Sequence, residues 1–280
     1  MSDLSDMSKL FRLDGKVALV TGSRGLGLHA ATAFLKAGAS KVILAARKAE
    51  GPQGLDQAVK RLNELPGVQG SAVGISANVA TLDGIESLLK QIGEIVDRLD
   101  ILVANAGTTW GGPFEPTPDW SSQKILDLNV RGVFNLVRLA VPLLEKSGSR
   151  SDPSRIVIVS SVAGTNVTHT GDHGTIMYSA SKAAAHHLAR NFAVELGPRN
   201  ITSNAVAPGF FPTRLANGLI QELGGQEALE RENPRLRLGV PDDIGGVMVF
   251  LCSRAGSYVN GEDIAVDGGA RWKQGTNHKL

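Results

Sequence analysis

Val17-Ala18-Leu19-Val20-Thr21-Gly22-Ser23-Arg24-Gly25-Leu26-Gly27 decides the fold of this chain. Four consecutive apolar residues make a buried-strand candidate, glycines follow, and a helical pattern then runs over residues 26–37. Glycines in such a place permit a tight turn and let backbone N–H groups approach a pyrophosphate at a helix N-terminus. Gly25-x-Gly27-x-x-Ala30 also satisfies the general dinucleotide fingerprint. A lone glycine pattern carries little weight, but its position between a strand and a helix near the N-terminus strengthens it.

The same alternation continues outward from this unit. Strands are expected at 42–45, within 69–75, and at 101–103, 155–160, 201–206 and 264–266. Helical patterns separate them at 51–64 (helix or loop-helix), 83–96, 121–144, 178–195 and 242–252. Near-continuous apolar strands separated by helices imply an α/β, doubly wound parallel sheet with helices on both faces. No Pro/Gly-rich linker divides the chain, so all 280 residues are expected to form one domain, with an N-terminal extension at 1–12 and a C-terminal tail at 271–280. The less regular pieces are 51–54, 147–154, 165–177 and 210–233. The last two lie at or after strand ends, where open α/β sheets bind ligands.

Composition excludes several classes of function. A net charge of +2 with no dense basic stretch gives no reason to expect nucleic acid. No apolar run approaches the roughly 20 residues of a membrane span. The start of the chain is polar and acidic and does not read as a secretory signal. Cys252 is the only cysteine, which rules out an intrachain disulfide and suits a reducing, cytoplasmic compartment. It lies in an apolar segment and reads as packing rather than as a nucleophile.

Two further features carry chemistry. The second strand ends in Ala45-Ala46-Arg47-Lys48. A carboxylate about 20 residues past the glycines would hold a ribose diol and favour NAD. Arg47 and Lys48 stand there instead, and Arg24 lies in the loop, so NADP(H) is favoured through its 2′-phosphate. The plainer reading of Arg47 and Lys48 is a solvated strand end. The chain has two tyrosines, and one of them begins Tyr178-Ser179-Ala180-Ser181-Lys182. A spacing of four puts Tyr178 and Lys182 on one helix face. A lysine ammonium beside a phenol favours the phenolate, so the Tyr178 pKa is expected to fall, as suits a general acid–base.

These residues together resemble the short-chain dehydrogenase/reductase family, over essentially residues 13–269. The resemblance rests on the glycine loop, Asn105-Ala106-Gly107, Asn129, Ser161, Tyr178-x-x-x-Lys182, Pro208-Gly209 with Thr213, and Val266-Asp267-Gly268-Gly269. The stretches 107–111, 160–164 and 207–214 are similar to β-ketoacyl reductases of the rhamnolipid-pathway type. The resemblance implies a Rossmann fold, NADP(H) as cofactor, a small-molecule ketone or alcohol as substrate, and a homo-oligomer, dimer or tetramer. It implies Asn129, Ser161, Tyr178 and Lys182 as the catalytic set. Tyr178 would donate the proton. Lys182 would bind the nicotinamide ribose, Ser161 the substrate carbonyl, and Asn129 a water linking Lys182 to solvent. Gly22, Ser23, Arg24, Gly25, Leu26 and Gly27 would cradle phosphate. Asn78 and Val79 would meet the adenine, Asn105, Ala106 and Gly107 would line the groove, and Pro208, Gly209 and Thr213 would hold the nicotinamide end.

Two departures stand out. The family loop has three residues between its first two glycines, and here only Ser23 and Arg24 separate Gly22 from Gly25. The shift of backbone N–H groups is expected to weaken cofactor binding unless the strand end moves to compensate. Ser161 and Tyr178 also lie further apart than is usual, the excess falling in 165–177, where it is expected to reshape the substrate pocket. In that segment His169, Asp172 and His173 form either a polar loop or a metal site. His186 and His187 diverge by about 100° around their helix and make poor joint ligands. Trp110, Phe114, Phe210, Phe211 and Leu215 either line an apolar substrate pocket or pack in the core or between subunits. The expected activity is NADPH-dependent reduction of a ketone, β-ketoacyl or polyketide-like. The alternatives are an NAD(P)-dependent alcohol or sugar dehydrogenase, and a cofactor-deficient binding or scaffold protein.

Overall fold

The computed structural model describes residues 6–273, without the side chains of Arg214 and Leu215. Seven strands, β1 (Val17–Thr21), β2 (Lys41–Ala46), β3 (Ser71–Ser76), β4 (Ile101–Ala104), β5 (Ser154–Val159), β6 (Ile201–Pro208) and β7 (Asp263–Val266), form one sheet. Its order is β3-β2-β1-β4-β5-β6-β7, and every pairing is parallel. The strand order reverses between β1 and β4, and a crevice opens at such a switch point, beyond the strands' carboxyl ends.

The helices are α1 (Met7–Leu10), α2 (Gly25–Lys36), α3 (Leu55–Asn63), α4 (Leu82–Ile95), α5 (Asp119–Leu126), α6 (Val133–Glu145), α7 (Ile176–Leu196), α8 (Arg214–Glu222), α9 (Gln226–Glu232) and α10 (Pro241–Cys252). Alternate strand residues feed two cores, because successive side chains point to opposite faces. Leu19, Ile43, Leu102 and Ile156 pack with Leu88, Leu136 and Ala189 on one face. Ala18, Val42, Ile101 and Val157 pack with Phe34, Leu62 and Met248 on the other. Local signals start and stop the helices. Thr81 Oγ1 accepts the Gly84 N–H at the start of α4, and Pro241 opens α10 while Asp243 accepts the Val240 N–H.

Two expectations need correction. The single helix expected over 121–144 begins at Asp119 and contains a π-helical turn, Asp127–Gly132, between α5 and α6. An inserted π-turn leaves the apolar pattern nearly unbroken, so periodicity alone does not reveal it. The segment 210–233, expected to be irregular, holds α8 and α9. Their stripe is interrupted by Gly218, Gly224 and Gly225, and among the described side chains Ile220 and Leu229 form a small buried cluster with Leu238. Within 165–177 there is a 3₁₀ turn, Gly171–His173. Of the expected tail, 274–280 lies outside the described residues.

Candidate functional site

At the carboxyl ends of the strands lies a cavity of about 1120 Å³. It brings together nearly every residue expected at the site. Gly22, Ser23, Arg24, Gly25 and Leu26 line it, with Arg47, Lys48, Asn78, Val79, Asn105, Ala106, Gly107, Ser161, Tyr178, Lys182, Pro208, Gly209 and Thr213. Gly27 and Asn129 do not line it, and both act from behind the wall.

The glycine loop is built by close approach. A Cβ on Gly27 would stand 2.5 Å from both Asn105 Nδ2 and the Gly22 carbonyl, and one on Gly22 would stand 2.6 Å from Asn105 Nδ2. Gly22 also has a φ of +90°, open to glycine and costly for other residues. Asn105 Nδ2 donates to the Thr21 carbonyl at 2.8 Å, and Thr21 Oγ1 accepts from the Asn105 and Ala106 N–H groups, each at 3.0 Å. Thr21 thus ties the end of β1 to the end of β4. As a strand-end threonine it gave no distinguishing signal in sequence. Although the loop is one residue short, α2 starts at Gly25 with no side-chain cap, and Ser23 to Leu26 still face the cavity. An uncapped helix N-terminus against a row of glycines fits a pyrophosphate. Arg24 Nε donates to the Gln53 carbonyl at 2.5 Å, tethering the segment that follows Arg47 and Lys48.

The Tyr178 end departs from expectation in its electrostatics. Lys182 does sit over the Tyr178 ring, its Nζ 5.6 Å from the centroid. Its ammonium, however, donates to the Val159 carbonyl at 2.8 Å. Burial pulls Lys182 down to about 8. Burial likewise raises the Tyr178 pKa, with a hydrogen bond from Ser161 opposing it more weakly. The expected depression of Tyr178 by Lys182 is therefore not found, because desolvation of the phenolate outweighs a charge held on another acceptor. Ser161 Oγ accepts the Ala163 N–H at 3.2 Å, which leaves its single proton for the Tyr178 oxygen or for a bound carbonyl in its place.

Asn129 sits in the π-turn and is buried. Its amide holds the Thr108 backbone from both sides at 2.9 Å, and Nδ2 also donates to Ser181 Oγ at 3.0 Å. Both amide protons are therefore engaged, and one Oδ1 lone pair remains. Ser160 Oγ donates to the Lys182 carbonyl at 2.9 Å. Ser160, Thr108 and Ser181 hold the site together, Ser160 and Thr108 from the cavity wall and Ser181 from behind it, and residue type alone did not mark them.

On the other side the cavity is lined by Thr109, Gly111, Val162, Thr168, Thr175, Phe210, Phe211 and Leu219. His169 and His173 of the 165–177 segment line it as well. His169 stacks at a tilt on Phe210, 6.1 Å between centroids, and His173 Nδ1 lies 3.3 Å from Glu222 of α8. Trp110 and Phe114 are exposed, Trp110 packing edge-on against Trp120 at 4.8 Å. The Leu215 side chain lies outside what is described. Cys252 is buried and its thiol is pushed up to about 12, so it is held protonated as packing.

Fold and site define a class: an α/β oxidoreductase scaffold with a dinucleotide groove and a Ser-Tyr-Lys centre in which the lysine is buried and the serine and tyrosine are half-buried. The family described as "Enoyl-(Acyl carrier protein) reductase" matches residues 20–271. The rhamnolipids biosynthesis 3-oxoacyl-[acyl-carrier-protein] reductase of Pseudomonas aeruginosa is 37% identical over 264 residues, covering 94% of this chain and 99% of the relative. The 3-oxoacyl-[acyl-carrier-protein] reductase FabG of Thermotoga maritima is 36% identical, covering 92% and 98%. Among solved structures, the Pseudomonas aeruginosa RhlG/NADP active-site complex aligns with a TM-score of 0.85 at 36% identity, covering 94% and 99%. The chain belongs to the short-chain dehydrogenase/reductase family and is an oxidoreductase.

Proposed function

We propose that this protein reduces a ketone to a secondary alcohol with NADPH. The observation that carries the reading is the meeting, in one cavity, of a glycine-lined helix N-terminus, the cations Arg24, Arg47 and Lys48, and the Ser161-Tyr178-Lys182 centre. The first suits a pyrophosphate, the second a 2′-phosphate and the third a carbonyl. Bound NADPH would supply the hydride.

The protein's own groups do the rest. Ser161 donates a hydrogen bond to the carbonyl oxygen and polarises it, keeping its own proton. Tyr178 gives its phenolic proton to the oxygen as the C=O π bond becomes an alcohol O–H, and is left as phenolate. Its raised pKa keeps that proton in place at neutral pH, which suits reduction. Lys182, with two N–H groups beyond the one on Val159, steadies the phenolate and contacts the ribose. Asn129 fixes the Thr108 segment against α7, and its free lone pair is available to a water leading to Lys182. Asn78 and Val79 would hold the adenine, and Pro208, Gly209 and Thr213 the nicotinamide, of a bound cofactor.

The apolar wall of Val162, Phe210, Phe211 and Leu219 favours an acyl-bearing ketone, in line with the 3-oxoacyl substrates named for the relatives. We read the chain as one domain, in the cytoplasm. Among the described residues no helix is long and apolar enough to cross a membrane. The exposed Trp120, Leu126, Phe134 and Val194 on α5, α6 and α7 support burial between subunits of a homodimer or tetramer.

Loss of nicotinamide absorbance on mixing protein, NADPH and a panel of β-ketoesters tests the reading. Tyr178→Phe should lower turnover by roughly 10²–10⁴-fold while leaving NADPH binding intact. Undiminished turnover in that variant would refute the proton donor, and absence of NADPH binding in the wild type would refute the cofactor.

A further inference from the structure

Tyr178, Lys182, His186 and Arg190 recur every four residues and make one stripe along α7. The first two belong to the centre described above, but the stripe does not stop there. His186 is 3% exposed, as deeply set as Lys182 at 6%. A buried imidazole needs partners, and both of its nitrogens face an acceptor. Nε2 donates to the Ser161 carbonyl at 3.2 Å. Nδ1 lies 2.9 Å from Asp263 Oδ1, a close polar contact without the geometry of a directed hydrogen bond. Arg190 grips the other oxygen of Asp263. Asp263 begins the edge strand β7, where it pairs with Ala205 of β6.

The turn that carries Ser161 is fastened to α7 at three points. Ser160 Oγ donates to the Lys182 carbonyl at 2.9 Å, and Ser179 Oγ donates to the Ala163 carbonyl at 2.5 Å. His186 is the third, and it alone among them holds the Ser161 peptide itself. It is also the one whose far side is braced by another element. The fit is tight, since a Cβ on Gly164 would stand 2.6 Å from His186 Cδ2.

We propose that His186 is a positioning residue for the reaction: braced by Asp263 and Arg190, it holds the Ser161 carbonyl and so aims the Ser161 hydroxyl at the Tyr178 phenol and the substrate oxygen. The catalytic consequence rests on the carbonyl-reduction reading, while the coupling of His186 to Tyr178 through Ser161 does not.

That coupling can be read without turnover. The chain has two tyrosines, and Tyr258 is fully exposed, so it serves as an internal reference. The phenols of wild type, His186→Leu, Ser161→Ala and the double variant are titrated by pH-jump difference absorbance. Ser161 draws the Tyr178 pKa down, so each single variant should move the Tyr178 transition further up, and the double variant no further than Ser161→Ala alone. In parallel, turnover of ethyl acetoacetate with NADPH should fall about ten-fold in His186→Leu, with NADPH affinity changed by less than about two-fold. His186→Gln, whose amide can still donate to the Ser161 carbonyl, should restore most of the rate. A Tyr178 transition unmoved in folded His186→Leu, or shifts that add in the double variant, would overturn the proposal. Should His186→Leu fail to fold, Asp263→Asn keeps the volume, removes the bracing charge and must show the same Tyr178 shift. A coupled Tyr178 shift in a protein that reduces no ketone would sustain the positioning and sink the reductase reading.

Discussion

At the glycine-loop end of the cavity, the Thr21 and Asn105 side chains join two strand ends by hydrogen bonds to backbone groups, and Gly22 and Gly27 leave no room for a Cβ. At the opposite end, 165–177 and α8 close over the cavity through the His173–Glu222 pair and the His169–Phe210 contact. Among the described residues, the buried core beneath α8 and α9 is the small cluster of Ile220, Leu229 and Leu238. Leu236, nearby, is exposed and has a φ of +52°, an unusual state for leucine. The difference teaches where tolerance lies. Backbone packed against a hydrogen-bonded side chain with no free space cannot yield cheaply, whereas half-exposed side-chain pairs can be lost and replaced by water.

The strongest test of this contrast bears on the junction between the two ends. Lys182 is pulled down to about 8 by burial, from an ordinary lysine value well above it. Between those values the unfolded chain binds the proton and the native one does not. Stability should therefore rise with pH across that window, by up to about 3 kcal/mol. Tyr178 acts in the opposite sense above its ordinary value, because the unfolded phenol ionises first. Denaturant midpoints measured from about pH 7.5 to about pH 9.5 should climb in the wild type and stay flat in Lys182→Met. Equal slopes in the two proteins would mean that Lys182 is not desolvated.

Next comes Gly27→Ala. Its Cβ would collide with Asn105 and with the Gly22 carbonyl. A loss of about 1–3 kcal/mol in thermal stability is expected, with NADPH affinity reduced by more than about ten-fold. An unaffected protein would break the picture of a rigid glycine end. A smaller effect is expected from the cations. Arg47→Ala and Lys48→Ala should each weaken NADPH by about ten-fold and leave NADH nearly unchanged, as loss of one charge-assisted contact would. Equal losses for both nucleotides in a fluorescence titration would point to general electrostatics instead.

Least of all should follow from His173→Ala. The pair it breaks is half exposed on both sides, so stability should change by less than about 1 kcal/mol and KM by only a few-fold. A collapse of activity there would show the lid end to be as tightly specified as the glycine end.

Much of the molecule was legible in the chain. Apolar runs such as Val17 to Val20 and Ile156 to Val159 announce strands buried on both faces, and the glycine run announces the turn between β1 and α2. These are local properties: period, residue shape and backbone freedom are set within a few neighbours. The Tyr178–Lys182 spacing likewise follows from helix geometry alone.

Other features depend on what meets across the fold. Thr21 reaches Asn105, Asn129 reaches Thr108 and Ser181, and His186 lies between Ser161 and Asp263. The α8 and α9 helices exist where glycines hide their stripe. The pKa of Tyr178 moved opposite to the sequence expectation, since spacing tells which charge is near but not how much water is excluded or where that charge is already bonded. The chain by itself thus determined the sheet, the glycine turn and the candidate side chains that line the cavity, all encoded at short range. Partnership and desolvation were decided only by the tertiary structure, because both depend on residues brought together from distant parts of the chain.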